Sequence, residues 1–280
     1  GKAGADRQPD NLVVRGVTPQ GDAAETFAIK TGTASWKSPV DAGSASYVSP
    51  AFYGSYGGPM GINAWFVENL LTQPGKTLAL LPGGKATATK LLDTQVGSGA
   101  TVQTVTLWKL SGLSTTPVPV WTDANDKFFA ISFGIGWIPA GYEGDKERLE
   151  KLQTEALAAQ MPALARSLAV TPSTPVAFTD VRIFDAPAKR FVDGQTVVVD
   201  KGLIVSVGAS GAAKVPANAK RIAGKGMTLV PGMWDSHMHV GDDYTGIQEL
   251  SLGVTSVRDP GNDDAKTLDR RGRVARSELL

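Results

Sequence analysis

At 280 residues the chain has room for about two domains of ordinary size. An apolar share of 42% and a charged share of 20% suit a globular protein and exclude a disordered one. Lys plus Arg is 28 against 27 Asp plus Glu, so the net charge of +1 gives no ground to expect nucleic acid or an anionic membrane as partner. No stretch approaches the roughly 20 apolar residues of a membrane span; the best, residues 63–71, is short and carries Glu68. Zero Cys excludes disulfides, thiolate metal sites and cysteine nucleophiles. The only two His are His237 and His239.

Residues 1–23 are polar, with one apolar break at Leu12-Val13-Val14, and read as a mobile leader. The chain opens Gly1-Lys2-Ala3-Gly4 without Met, as a processed product does, and the expectation is a removed signal peptide and a periplasmic or secreted protein. Residues 24–166 form a section of their own, with five of the six Trp and many Thr, Val and Gly. Residues 101–108 alternate with period two, which predicts a half-buried strand. Residues 127–137 predict another strand, entered through the turn Asp123-Ala124-Asn125-Asp126. Ile62, Trp65, Phe66 and Leu70 recur at helical spacing and Pro74-Gly75 stops them, so 62–72 is a predicted helix. Leu149, Leu152, Ala156 and Ala159 share a stripe, predicting a helix over 147–160 with a break at Pro162. The section is therefore expected to be an α+β domain. Tyr47, Phe52, Tyr53 and Tyr56, in a Gly-rich stretch, either line a groove or pack a core, and packing is the commoner use. Gly75-Lys76-Thr77 lacks the earlier glycine of a phosphate loop and follows a helix, so no nucleotide site is expected there.

Residues 167–175, rich in Pro, Ser and Thr, read as a linker. From 176 to 232 the rhythm is short strands between tight turns: 176–184, 196–199, 203–207 and 220–223, with Asp193-Gly194 and Lys201-Gly202 as turn residues. Residues 234–240 read as a strand whose odd positions share a face, so Asp235, His237 and His239 project together. A helix over 244–252 and a β-branched strand over 253–259 follow, the opening of a parallel α/β sheet. The basic run Arg270–Arg276 reads as a solvated helix face. Two imidazoles at i and i+2 can grip one metal ion, with Asp235 placed to orient them.

The segment Val230-Pro231-Gly232-Met233-Trp234-Asp235-Ser236-His237-Met238-His239, followed by Gly253-Val254-Thr255-Ser256-Val257-Arg258-Asp259, resembles the amidohydrolase superfamily. The resemblance runs over about residues 176–264 and continues weakly to 280. It implies a small β-sandwich over 176–232 leading, from 233, into the first strands of a TIM-type (β/α)₈ barrel. It also implies metal-dependent hydrolysis of C–N bonds in small amides, peptides or cyclic amides, by water activated on one or two Zn²⁺ or similar ions. His237 and His239 would be ligands and Asp235 would support them. Arg258 and Asp259, at a strand end, would touch substrate or pair structurally. The Arg-Asp pair leans toward the imidazolonepropionase-like and dipeptidase-like branch. That family completes its site with a Lys or Glu, two further His and an Asp from later strands. Strand 1 here already takes both His, and residues 233–280 hold about one and a half of eight βα units, against about 250 residues for a whole barrel. The expectation is thus the front end of an amidohydrolase with an extra N-terminal domain, truncated in its barrel. It has no assignable catalytic residue, is inactive alone, and can self-associate through exposed barrel strands. The alternative is a non-catalytic binding or interaction module formed by residues 24–160.

Overall fold

The computed structural model describes residues 2–3, 9–19, 21–56, 58, 61–131 and 136–280. They divide into two compact units, Gly1–Ala159 and Gln160–Leu280. Among the described residues no helix is long and apolar enough to cross a membrane.

The first unit opens with strands β1 (Lys2–Ala3), β2 (Pro9–Val14), β3 (Val17–Thr18), β4 (Gly21–Asp22), β5 (Glu25–Lys30), β6 (Thr33–Lys37) and β7 (Ala42–Ser46). Five of these form an antiparallel sheet in the order β1-β2-β5-β6-β7. Residues 9–14, expected within a mobile leader, are thus a paired strand, because the break at Leu12 supplies a side chain that is buried with Phe27 and Ala34. The second sheet follows, with β8 (Ala51–Tyr53), helix α1 (Gly61–Thr72), and strands β9 (Thr77–Leu81), β10 (Lys85–Val96), β11 (Gln103–Ser111), β12 (Val118–Asp123) and β13 (Phe128–Ala130). The order is sequential, antiparallel except for the parallel pair β8 and β9. Of the strand expected over 127–137, β13 and a bridge between Ile131 and Trp137 are formed, and 132–135 lie outside the described residues.

Helix α1 packs Phe66, Val67, Leu70 and Leu71 against Trp108, Leu110 and Val120 on one face of this sheet. Helix α2 (Lys146–Ala158) packs Leu149 against Val105, Leu107 and Trp121 on the other. Strand β11 is therefore covered on both faces and not half-buried as its alternation suggested. Its threonine face is closed by hydrogen bonds: Thr106 Oγ1 donates to Asp93 Oδ1 at 2.7 Å. Trp108 Nε1 donates to Thr122 Oγ1 at 2.9 Å. Phe52 and Tyr53 are core residues, Tyr47 packs on the core edge and Tyr56 is exposed, so most of that aromatic set serves packing. Lys76, in the passage that lacks the earlier glycine of a phosphate loop, donates to Leu71 O at 2.7 Å and lies 5.3 Å from the Trp108 ring centre.

The second unit begins with α3 (Met161–Leu168), where a break was expected at Pro162. Proline in the first turn has no helical hydrogen bond to lose, so it starts this helix instead of stopping one. Strands β14 (Val176–Asp185), β15 (Arg190–Asp200), β16 (Leu203–Ala209), β17 (Lys220–Ala223) and β18 (Thr228–Leu229) make one mixed sheet. Its order is β16-β15-β14-β17, with β18 also parallel to β14. All five strands join this one hydrogen-bonded sheet, and register shifts interrupt the β14–β15 and β15–β16 pairings. The chain then forms β19 (Met233–Asp235), α4 (Thr245–Ser251), β20 (Val254–Val257) and α5 (Asp264–Ala275). Strands β19 and β20 are parallel and pair only with each other among the described residues, so no complete barrel is present. Trp234 is 75% exposed and Met233 50%.

Candidate metal centre

The two His do not sit on a strand, as their period-two spacing suggested. β19 stops at Asp235 because Asp235 Oδ1 accepts the backbone N–H of His237 at 2.9 Å, a side-chain turn that competes with the ladder. The segment still runs beside the end of β20: Arg258 N–H donates to Asp235 O at 2.8 Å and Met238 N–H to Arg258 O at 3.0 Å. This tether brings the two imidazoles together, with ring centres 5.4 Å apart and planes at 74°. Two imidazoles sharing one tetrahedral ion at roughly 2.0–2.1 Å from each nitrogen have ring centres about 5 Å apart. The spacing is compatible with two ligands of a single ion, and equally with the ordinary edge-to-face contact of two rings. Among the described residues no group of three or more His, Cys, Asp or Glu converges as a metal site.

Asp235 acts on the backbone of His237, whereas the carboxylate beside an imidazole is Asp259. Its Oδ1 lies 3.8 Å from His239 Nδ1, and its side chain is only 4% exposed while that of His239 is 61% exposed. Asp259 Oδ2 accepts from Val240 N–H at 3.0 Å and from the Asn262 amide; Oδ1 accepts from Gly261 N–H at 3.3 Å. Burial pushes the Asp259 carboxyl up, but these hydrogen bonds and the neighbouring His239 outweigh it and hold it below the usual range. Arg258, by contrast, is exposed and reaches back to Ser236 O at 3.4 Å.

The loop that follows His239 is fastened from α5. Asp263 caps that helix by accepting from Ala265 N–H and Lys266 N–H. Arg270 donates to Val240 O at 2.6 Å, Gly241 O at 3.1 Å and Asp243 Oδ1 at 3.2 Å. Arg273 reaches Asp243 Oδ2 at 2.7 Å. These two arginines of the basic run are 18% and 15% exposed, so they are structural ties and not part of a solvated face. A cavity of about 530 Å³ lies beside this loop, lined by Val240, Thr245, Leu250, Val257, Asp259 and Arg271 among others; neither imidazole lines it. Gly261 and Asn262 were not among the site residues expected from sequence; the signal available was the turn sequence Pro260-Gly261-Asn262-Asp263 directly after a β-branched strand.

No protein-family profile matches the chain, and no curated sequence matches it significantly. Over 38–40% of its length it is similar to solved structures, at TM-scores of 0.33 and 0.34. A protein described as a prolidase from Bifidobacterium longum is 24% identical over 38% of this chain and 28% of that one, with a TM-score of 0.34. A molinate hydrolase is 22% identical over 40% of this chain and 29% of its own, with a TM-score of 0.33. For phenylurea hydrolase B the values are 23%, 38%, 29% and 0.33. The chain thus spans less than a third of the length of each of these proteins.

Proposed function

We propose that residues 176–280 carry the entry segment of a metal-dependent amidohydrolase, a mixed sheet followed by the first βα unit of a barrel, with His237 and His239 as two ligands of a divalent ion. The observation that carries this reading is the 5.4 Å approach of the two imidazoles in the motif Asp235-Ser236-His237-Met238-His239. A Zn²⁺ or similar ion held there would supply a bound water acidic enough to attack the carbonyl of a small amide, peptide or cyclic amide. The chain's own part is to aim two nitrogens and to hold the loop that carries them, through Asp235, Asp259 and Arg270. The composition sets the limit: with two His in all, further ligands and the general base of such a site have to come from other residue types or from outside these residues.

Two results are expected. Calorimetric titration of Zn²⁺ shows weak binding to the wild type, far from the ~10–16 kcal/mol of structural zinc sites, because two protein ligands leave water to fill the rest. Binding is lost in the His237→Ala, His239→Ala double variant, and it weakens on acidification because an imidazolium has no lone pair to give. Nanomolar affinity, or binding unchanged in the double variant, refutes the assignment. Second, the zinc-loaded chain by itself turns over no simple amide, dipeptide or ester. Turnover that disappears in His237→Ala would show that the site is complete as it stands.

A further inference from the structure

We propose that the turn after β20, made by Asp259, Gly261 and Asn262, is the positioning seat of His239, turning Nδ1 of its ring toward a buried carboxylate and leaving Nε2 as the nitrogen free for a metal. This deepens the metal-binding reading and rests on it for its purpose, though not for its geometry.

The seat has a wall and a floor. The wall is Asp259, whose two oxygens are fixed from three sides by Val240 N–H, Gly261 N–H and the Asn262 amide. Asn262 also donates to Val240 O at 2.7 Å, so the turn after β20 is bound to the residue directly after His239. The carboxylate therefore cannot swing away from the imidazole without breaking the loop that carries it. A neutral imidazole holds one proton; the anionic oxygen 3.8 Å from Nδ1 is beyond hydrogen-bond length and acts by its charge, which favours that proton on Nδ1 and leaves the lone pair on Nε2. Metal-binding imidazoles are commonly oriented in this way, by an acceptor facing the nitrogen that does not bind.

The floor is Gly261. A Cβ there would lie 2.6 Å from His239 Cε1 and 3.1 Å from Nδ1, but 3.8 Å from Nε2, so the ring rests on this glycine by its Nδ1 edge. Gly261 is not among the residues with positive φ, and its backbone suits any L residue. The need for glycine at 261 thus lies in the imidazole and not in the turn. An added methyl group meets the end of an exposed side chain, which gives way more easily than backbone does. Gly261→Ala should therefore leave the fold intact and expel the ring.

The test is a long-range ¹H–¹⁵N spectrum of the metal-free, ¹⁵N-labelled protein at about pH 8, where free imidazoles are neutral. It reads which ring nitrogen carries the proton. The wild type is expected to show His239 protonated at Nδ1. In Gly261→Ala that preference is lost while the His237 signals and the amide spectrum persist, and Zn²⁺ affinity falls by roughly tenfold or more. Gly241→Ala is the control, since its Cβ meets nothing within 4 Å, and it should change neither reading. A wild-type His239 protonated at Nε2 overturns the proposal. So does a Gly261→Ala protein with unchanged ring signals and unchanged affinity. The wild-type spectrum decides even if the variant folds poorly. A chain with His239 protonated at Nδ1 whose Zn²⁺ binding survives removal of both imidazoles would uphold the seat and refute the metal reading.

Discussion

Trp121→Ala is expected to destabilise the first unit by about 3–5 kcal/mol, the usual cost of truncating a fully buried large aromatic side chain. Trp121 is completely buried in the cluster of Val96, Val105, Leu107, Phe129, Ala130 and Leu149, between the second sheet and α2. Its indole N–H also donates to Gln153 Oε1 on that helix at 3.3 Å, so the substitution removes packing and a buried polar tie together. Trp121→Phe keeps most of the apolar volume and should cost clearly less. The measurement is the denaturant midpoint followed by far-ultraviolet circular dichroism, with unchanged dependence on denaturant confirming that the unfolded state is the same. A loss below about 1 kcal/mol for the alanine variant would mean that α2 does not close this face of the sheet.

The elements most legible in the sequence were those where periodicity and punctuation agreed. α1 was expected over 62–72 and spans Gly61–Thr72, since apolar residues recur at helical spacing up to the stop at Pro74-Gly75. β17 was read at its observed bounds, Lys220–Ala223, as one of the short strands between tight turns. Burial was harder to read than secondary structure. The threonines of β11 look like the solvent side of an alternating strand, yet Thr106 is buried on Asp93, and Thr122 of β12 is buried on Trp108. A hydroxyl can face water or a buried acceptor equally well, and the local sequence does not say which. Pro162 was ambiguous for a similar reason: the residue that ends one helix is also well suited to begin the next.

The candidate site shows both sides of this. That the two imidazoles lie near each other was legible in their spacing, although the tether to Arg258 and not a strand brings them together. That the strand would stop at Asp235 was not, because the competing turn needs only one carboxylate oxygen aimed at a backbone N–H two residues on. Asp259 was read as touching substrate or pairing structurally, but its particular partners were out of reach. Its partners Val240 and Asn262 flank it from both directions along the chain, and only the parallel pairing of β19 with β20 makes them neighbours. Side chains that act through another residue's position leave little local pattern to read.

The stability of the first unit is expected to fall above about pH 10, and Tyr53→Phe should remove much of that fall. Tyr53 is buried, stacked on Phe27 with ring centres 4.3 Å apart, and its hydroxyl donates to Glu25 Oε1 at 2.7 Å. Glu25 is itself 2% exposed and also accepts from Tyr56 N–H at 2.9 Å. Burial first, then the hydrogen bond to Glu25 and the negative charge there, raise the Tyr53 phenol well above its ordinary value. The sign follows from proton counting. Above about pH 10 the unfolded chain releases this proton while the folded chain keeps it, so the unfolded state binds fewer protons and stability declines as pH rises. Below that pH both states hold the proton and the contribution is fully present. Urea midpoints read between about pH 8 and pH 12 by Trp fluorescence test this, since five of the six Trp lie in this unit. Tyr53→Phe should start lower at neutral pH, by about 1–3 kcal/mol, because it withdraws a donor from a buried carboxylate. It should then run flatter through the alkaline range. Tyr244 in the second unit is raised as well, by burial first and then by Asp242 and Asp243, so Tyr244→Phe is the matched comparison and should leave the Trp-detected decline in place. An alkaline decline of the same steepness with and without the Tyr53 hydroxyl would show that Glu25 and Tyr53 are not coupled in the folded core.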